Sequence, residues 1–322
     1  MPNANLVLAG DVGGTKTLLM LAEISQGVPR AVREARYDNS RFDSLEGILA
    51  DFLGTHYQPC VACFAVAGPI AGRQASLTNL PWQIDADELE KTFGFSQVRL
   101  INDFVAVGYG IEALGPDDMV QLQEGKPLAH APCVVLGAGT GLGECLLAWG
   151  NGHYEVIASE GGHVDFAPAD ELQIGLLRQL QSTFGHVSYE RVLSGPGLVA
   201  IHECLHSGDE KYPALTDPAD ITDAALAGDP VAMRTLEMFI AIYGAQAGNL
   251  ALTCLARGGV FIAGGIAPRI IDQIRAGGFM RAFLEKGRHS CLMAEMPVQV
   301  VMNPNVGLLG AALTAGRMAA AA

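Results

Sequence analysis

At 322 residues the chain exceeds the size at which a single hydrophobic core stops growing, so two domains with a ligand cleft between them are expected. Half of its residues are hydrophobic, only 17% are charged and 39 are glycine, which excludes extensive disorder and points to a globular protein rich in tight turns. The formal charge of −14 argues against a nucleic-acid partner, and any phosphate bound here must be met locally by backbone N–H groups, helix ends and a cation.

Near the N-terminus, LVLAG reads as a buried strand ending at DVGGT, after which KTLLMLAEI resumes the extended pattern. That is a hairpin with a glycine tip. In the tip, Gly13 and Gly14 let backbone N–H groups approach phosphate oxygens, Thr15 adds a hydroxyl donor, and Asp11 is placed to hold Mg²⁺ through water. Alone, the motif is read equally well as a glycine turn with a capping Asp. CVACFAVAG is a further strand; residues three apart on a strand face opposite ways, so Cys60 and Cys63 are not expected to form a redox or zinc pair. VRLIND then leads into FVAVGYGIEAL, where Phe104, Val107, Ile111 and Leu114 recur at helical spacing. Asn102 and Asp103 therefore fall at a strand-to-helix junction. A GPDD turn near residues 112 to 118 sets the expected boundary between a small α/β domain, 1–113, and a large one, 114–304. A C-terminal helix over 305–322 is expected to return to the first domain.

APCVVLGAGTGLGECLLAWG repeats the order strand, Gly and Thr-rich turn, strand, which implies a duplicated α/β architecture with one phosphate loop per half. In GAGTGLG, Leu142 stands where a dinucleotide fingerprint needs its third glycine, and a strand follows instead of a helix. There is no GxxxxGK[ST] run either. A second phosphate clamp built from Gly137, Gly139 and Gly141, with Thr140 as hydroxyl donor, remains. Downstream, Glu160 and His163 in SEGGH and Glu190 in SYERVLSGPG join Asn102 and Asp103 as carboxylates, an amide and an imidazole suited to the paired hydroxyls of a sugar. Taken singly, each reads as a cap, a loop or a surface acid. HECLH, His202 to His206, matches a zinc-protease pattern but lacks its extension, and Leu198, Ile201 and Leu205 mark a core face beside the two histidines, so zinc is not expected. Phe239 to Ala256 carries Gln246, Asn249 and Thr253 and reads as a core helix rather than a membrane span. GGVFIAGGIAPRI is a strand, a Gly-Gly turn and a helix. Seven cysteines in mostly apolar runs, with no signal peptide in view, place the protein in the reducing cytoplasm.

Together and in this order, GDVGGT, LINDF, GAGTGLG, SEGGH, YERVLSGPGL and GGVFIAGGI resemble the bacterial glucokinase family of the hexokinase, actin and Hsp70 superfold. The resemblance implies a two-domain ribonuclease-H-like α/β fold with a duplicated core and an interdomain cleft. It further implies ATP-dependent phosphorylation of D-glucose at the 6-hydroxyl, with ATP and Mg²⁺ required and a homodimer as the assembly. Asn102, Asp103, Glu160, His163 and Glu190 would hold the glucose hydroxyls. Gly10, Asp11, Val12, Gly13, Gly14 and Thr15 would bind ATP phosphate, and Gly264 and Gly265 would lie near the adenosine. Asp103 suits the role of base toward the attacking hydroxyl, because phosphoryl transfer depends chiefly on alignment and charge neutralisation. One departure is Lys16, where the family has Asn; GGTK also occurs in ROK sugar kinases, but HVDFAPAD after His163 contains none of the cysteines of their zinc motif. Two other readings are disfavoured. A sugar-sensing regulator would need a DNA-binding segment before DVGGT, and a phosphatase acting on phosphate chains would need a basic groove.

Overall fold

The computed structural model describes residues 3–25, 28–77, 80–206 and 214–321. It divides into two units: residues up to Gly115 together with those from Asn303 onward, and Pro116–Met302.

In the first unit, β1 (Asn3–Val12), β2 (Lys16–Ser25) and β3 (Val28–Asp38) form an antiparallel meander. After α1 (Leu45–Leu53) the chain enters β4 (Pro59–Val66), then a small sheet of β5 (Ile70–Ala71), β6 (Gln74–Ser76) and β7 (Gln83–Asp85). Next come α2 (Ala86–Phe93), β8 (Gln97–Asn102) and α3 (Asp103–Gly110). The main sheet runs β3-β2-β1-β4-β8, with β1, β4 and β8 parallel. A central parallel strand is covered on both faces, so PCVACFAV is buried almost throughout. Burial pushes the Cys63 thiol up to about 12, which removes it from thiolate chemistry, and the Cys60 Sγ lies 3.4 Å from the Leu6 carbonyl oxygen. Leu8, Leu21, Phe52 and Phe64 are fully buried in this core, each worth about 1.5–3 kcal/mol of apolar transfer.

Of the four residues at helical spacing in and after α3, Ile111 is buried, whereas Phe104, Val107 and Leu114 are only partly so. The helix stops at Gly110, a 3₁₀ turn spans Ile111–Ala113, and Leu114 lies beyond it. Its buried side is Ala106, Tyr109 and Gly110, because the C-terminal helix (Val306–Ala321) packs there at close range. A Cβ on Gly310 would sit 1.8 Å from the Ala106 carbonyl oxygen, and one on Gly110 would sit 2.0 Å from that of Val306. Small residues, not large apolar ones, define this helix pair. Residue 322, at the end of the expected helix, lies outside the described residues.

In the second unit, β9 (Met119–Gln123) precedes a meander of β10 (Cys133–Ala138), β11 (Leu142–Gly150) and β12 (His153–Ser159). Four helices follow: α4 (Glu171–Phe184), α5 (Gly195–Leu205), α6 (Pro218–Leu226) and α7 (Pro230–Cys254). The chain returns through β13 (Gly259–Ala263) and β14 (Val298–Val301) to a sheet ordered β12-β11-β10-β13-β14-β9. Here β10, β13 and β14 are parallel. Both units thus share one pattern: a three-stranded meander whose first strand also begins a parallel row, with a glycine tip between its first two strands.

α7 begins at a capped Pro230, where the Asp229 Oδ1 accepts from the N–H groups of Val231 and Ala232. It buries Phe239, Tyr243 and Ala247; no helix among the described residues is long and apolar enough to cross a membrane. HECLH does lie on α5 and its C-cap, but His202 is buried rather than beside the core, with its Nδ1 3.2 Å from the Thr235 Oγ1.

Candidate active site

In the first unit, the tip between β1 and β2 is closed by the Gly13 N–H donating to the Lys16 carbonyl at 3.0 Å. Asn39, buried under it, donates from Nδ2 to the Gly13 carbonyl (2.8 Å), accepts from the Thr17 hydroxyl (2.8 Å), and donates its own N–H to the Thr15 carbonyl (3.0 Å). A buried amide satisfied on three sides holds the turn in one shape. Of the GDVGGT string, Gly10 and Val12 face inward and Thr15 is exposed, with Asp11, Gly13 and Gly14 between these extremes. Gly10 makes room for Phe64, whose ring would lie 2.5 Å from a Cβ there.

Asn102 caps α3, its Oδ1 accepting from the N–H groups of Phe104 (2.9 Å) and Val105 (3.2 Å), so its Nδ2 remains the end suited to donate to a ligand. Asp103 is the first residue of the helix. Burial, then repulsion from Asp103, pushes Asp11 up to about 6, with Lys16 pulling the other way. Two neighbouring carboxylates form a hard-oxygen donor set whose repulsion a divalent cation would relieve.

In the second unit, the GAGTGLG turn is closed by the Gly139 N–H donating to the Gly141 carbonyl, and the Gly139 carbonyl accepts from the Gly195 N–H at the start of α5, both at 2.8 Å. Gly137 is buried within β10, Thr140 is exposed, and Gly139 and Gly141 are partly so. Gly264 has φ +81° and would bring a Cβ within 2.4 Å of the Ala138 carbonyl oxygen, so only glycine fits where β13 meets the turn. Gly265 follows it, exposed. The Tyr243 hydroxyl accepts the Ala138 N–H (3.0 Å) and donates to the Ala263 carbonyl (3.3 Å), joining the two strand ends that carry the turns.

SEGGH forms a 3₁₀ turn over Gly161–His163. The His163 Nε2 lies 3.8 Å from the Glu160 Oε2, and its Nδ1 lies 3.9 Å from the Glu190 Oε1. Glu190 is fixed at both ends: its N–H donates to the Gly162 carbonyl (2.8 Å), and its Oε2 accepts the Leu142 N–H (3.0 Å). Three residues that spacing alone could not join are therefore together, hung on the first residue after the glycine turn. His186 braces the turn from outside, its Nε2 3.0 Å from the His163 carbonyl oxygen and its Nδ1 3.2 Å from Asp165.

Sequence reasoning passed over Asn39, Tyr243 and Glu144. Glu144 is a buried carboxyl on β11 that accepts from the Gln246 Nε2 at 2.9 Å. Its flanking residues carry no sign of a partner 102 positions away.

Glycine turns that can meet phosphate, in a repeated sheet fold with a Glu–His–Glu group suited to hydroxyls, define the class as a sugar kinase of the actin and hexokinase-like fold. The family model for glucokinase matches residues 8–318, and the chain belongs to that family. It is 44% identical to a glucokinase of Nostoc punctiforme, over 97% of this chain and 99% of the relative. The solved glucokinase of an Antarctic psychrotroph is 33% identical and superposes with a TM-score of 0.89, covering 97% of this chain and 99% of that one. A ROK family glucokinase from Streptomyces griseus, solved in complex with glucose and AMPPNP, shares the fold at a TM-score of 0.64 and 22% identity, with 97% and 99% covered. The activity of the chain is ATP-dependent phosphorylation of glucose.

Proposed function

We propose that transfer occurs at the 6-hydroxyl of D-glucose, the first step of glycolysis, with Asp103 as general base. Glu160, His163 and Glu190 hold sugar hydroxyls, and Asn102 donates to one through its Nδ2. Asp11, Gly13, Gly14 and Thr15 bind the ATP phosphates, as do Gly139, Thr140 and Gly141. Gly264 and Gly265 lie beside the adenosine. Gly10, Val12 and Gly137, buried in their strands, support the turns from within. The acidic pair of Asp11 and Asp103 fits Mg²⁺, held by Asp11 through water; when bound, the ion neutralises charge on the phosphates. In a loose transition state, alignment of the hydroxyl and removal of its proton are what the chain's own residues contribute. In this reading the two units act as the small and large domains, and the enzyme works in the cytoplasm as a homodimer, a view that rests on its family resemblance.

The observation that carries the proposal is the Glu160–His163–Glu190 group, anchored to the Leu142 amide beside a glycine turn. A coupled ATP-consumption assay over glucose, mannose, fructose and an amino sugar tests the substrate, with glucose expected to give the highest kcat/KM. Asp103→Asn tests the base: it should lower kcat at least about a hundredfold and leave glucose affinity within about tenfold. Near-normal kcat in that variant would remove Asp103 from the mechanism.

A further inference from the structure

Glu144 has no part in the chemistry described so far, yet it lies directly under the turn that carries Glu160 and His163. Across the sheet it pairs with Ser159, the residue before Glu160. A Cβ on Gly161 would sit 2.1 Å from the Glu144 Oε2, and one on Gly162 would sit 2.3 Å from the Leu142 carbonyl oxygen, so the two glycines let the turn rest on β11 itself. The Gly161 N–H is held by the Ser159 hydroxyl at 2.9 Å. On the other side, the Glu144 Oε1 accepts from Gln246, whose Oε1 accepts from the Asn249 Nδ2 (3.3 Å), which also donates to the Tyr189 hydroxyl (2.9 Å), next to Glu190. This polar chain serves only one oxygen of the carboxyl. The Oε2 is buried and has no hydrogen-bond partner among the described residues, a position that an ionised oxygen occupies only at a large desolvation cost.

We propose that Glu144 is a positioning residue for the sugar site: as a neutral carboxyl it seats the Gly161–His163 turn, and its ionisation releases that turn and weakens the hold on the sugar. The inference rests on the assignment of Glu160, His163 and Glu190 to the sugar. Burial pushes Glu144 up to about 7, against the opposing hydrogen bond from Gln246, so the switch falls within the working range of a cellular enzyme. The titratable groups facing it are Cys145 on its own strand, Tyr189 beside Glu190, and Tyr243 on α7, all three shifted upward. None offers a positive charge to hold the carboxylate. Glu160 and His163 stand on the turn itself, and the ionised Glu144 would add a third negative charge to the neighbourhood of Glu160 and Glu190.

If only the protonated form seats the turn, affinity scales with its fraction, giving a glucose KM about tenfold higher one pH unit above the midpoint. The test measures glucose KM and kcat from pH 6 to 8.5, with glucose binding by calorimetry in the absence of nucleotide. The native enzyme should show KM rising at least about threefold between pH 6 and 8, whereas Glu144→Gln, which cannot ionise, should hold a nearly flat KM. Gln246→Leu removes the donor that favours ionisation and should move the midpoint to higher pH; it supplies a second readout if Glu144→Gln folds poorly. His163→Ala should raise KM yet keep the rise with pH, which separates the titration of its own ring. A flat native profile, or a Glu144→Gln profile parallel to the native one, overturns the inference. Should Glu160→Gln and His163→Ala leave glucose KM unchanged, the site assignment itself fails instead.

Discussion

Gly310→Ala and Gly175→Ala make the same chemical change within two helices, and the structure assigns them opposite signs. Alanine is preferred over glycine in a helix interior by about 1 kcal/mol. At Gly175 on α4, a Cβ would meet nothing within 4 Å, so that gain should appear almost in full. At Gly310, the Cβ would meet the Ala106 carbonyl oxygen at 1.8 Å and the Gly110 nitrogen at 2.6 Å. Ordinary contact begins near 3.4 Å, so the C-terminal helix must retreat from α3 by roughly 1.5 Å, and both opposing atoms are backbone that cannot rotate away. Overpacking of this kind costs about 1–3 kcal/mol. Taking the upper value and subtracting the helix preference leaves a net loss of about 2 kcal/mol. The retreat also reaches the residues proposed for the chemistry, because Gly307 on the same helix lies where a Cβ would be 3.7 Å from the Asp11 Oδ2 and 4.0 Å from the Asp103 carbonyl oxygen. Urea unfolding in a Trp149→Phe background, where buried Trp82 reports on the first unit, measures the stability, and kcat measures the reach. If Gly310→Ala is as stable as the native protein, the close approach carries no energetic weight and the reasoning is wrong.

Asp11→Ala should raise the Mg²⁺ concentration needed for half-maximal activity at least about tenfold, with glucose binding in the absence of nucleotide unchanged; an unaltered Mg²⁺ titration would place the metal-nucleotide elsewhere. Glu160→Gln and His163→Ala should each raise glucose KM several-fold with a smaller change in kcat, as binding residues do. For Glu144, the folded value of about 7 stands above the ordinary 4.5, so the unfolded chain releases its proton first. Its contribution is therefore intact below pH 4.5 and declines as pH rises through 7. The difference is worth about 3 kcal/mol at 1.36 kcal/mol per unit. Urea unfolding at pH 5 and pH 8 should show Glu144→Gln gaining on the native protein by about 2.5 kcal/mol, since part of the loss is already present at pH 5, and parallel pH dependence would contradict it.

The fold class and the enzyme class were legible because their signals are local. A glycine tip between two apolar runs marks a hairpin wherever it occurs, and LIND-F marks a strand passing into a helix within five residues. Long-range complementarity was not legible. Gly110 and Gly310 read as weak helix formers, and only the facing backbone explains why larger residues are excluded. That is why the apolar face expected through Phe104 and Leu114 was displaced toward Ala106 and Gly110. Asn39 and Glu144 escaped for the same reason: their partners lie 26 and 102 positions away, and nothing in their flanking residues announces them. Charged VPRAVREARYD did not read as a strand, yet it forms the edge of the first sheet, where Arg and Glu suit a surface exposed to solvent. The convergence of SEGGH with SYERV likewise depends on Glu190 reaching back to the Leu142 amide, a contact that no periodicity encodes.

The first unit is assembled from the two ends of the sequence, whereas the second is a continuous run, and this sets an order of events during synthesis. Pro116–Met302 can acquire all its own strands as soon as it leaves the ribosome. The first unit has all the strands of its main sheet by Asn102 but still lacks a helix, with the surface of α3 around Ala106, Tyr109 and Gly110 open to water until Val306–Ala321 arrives. While Pro116–Met302 is being translated, that surface is bare and open to chaperones or to another nascent chain. Asp11 and Asp103 gain their neighbour Gly307 only after the whole of Pro116–Met302 has been made.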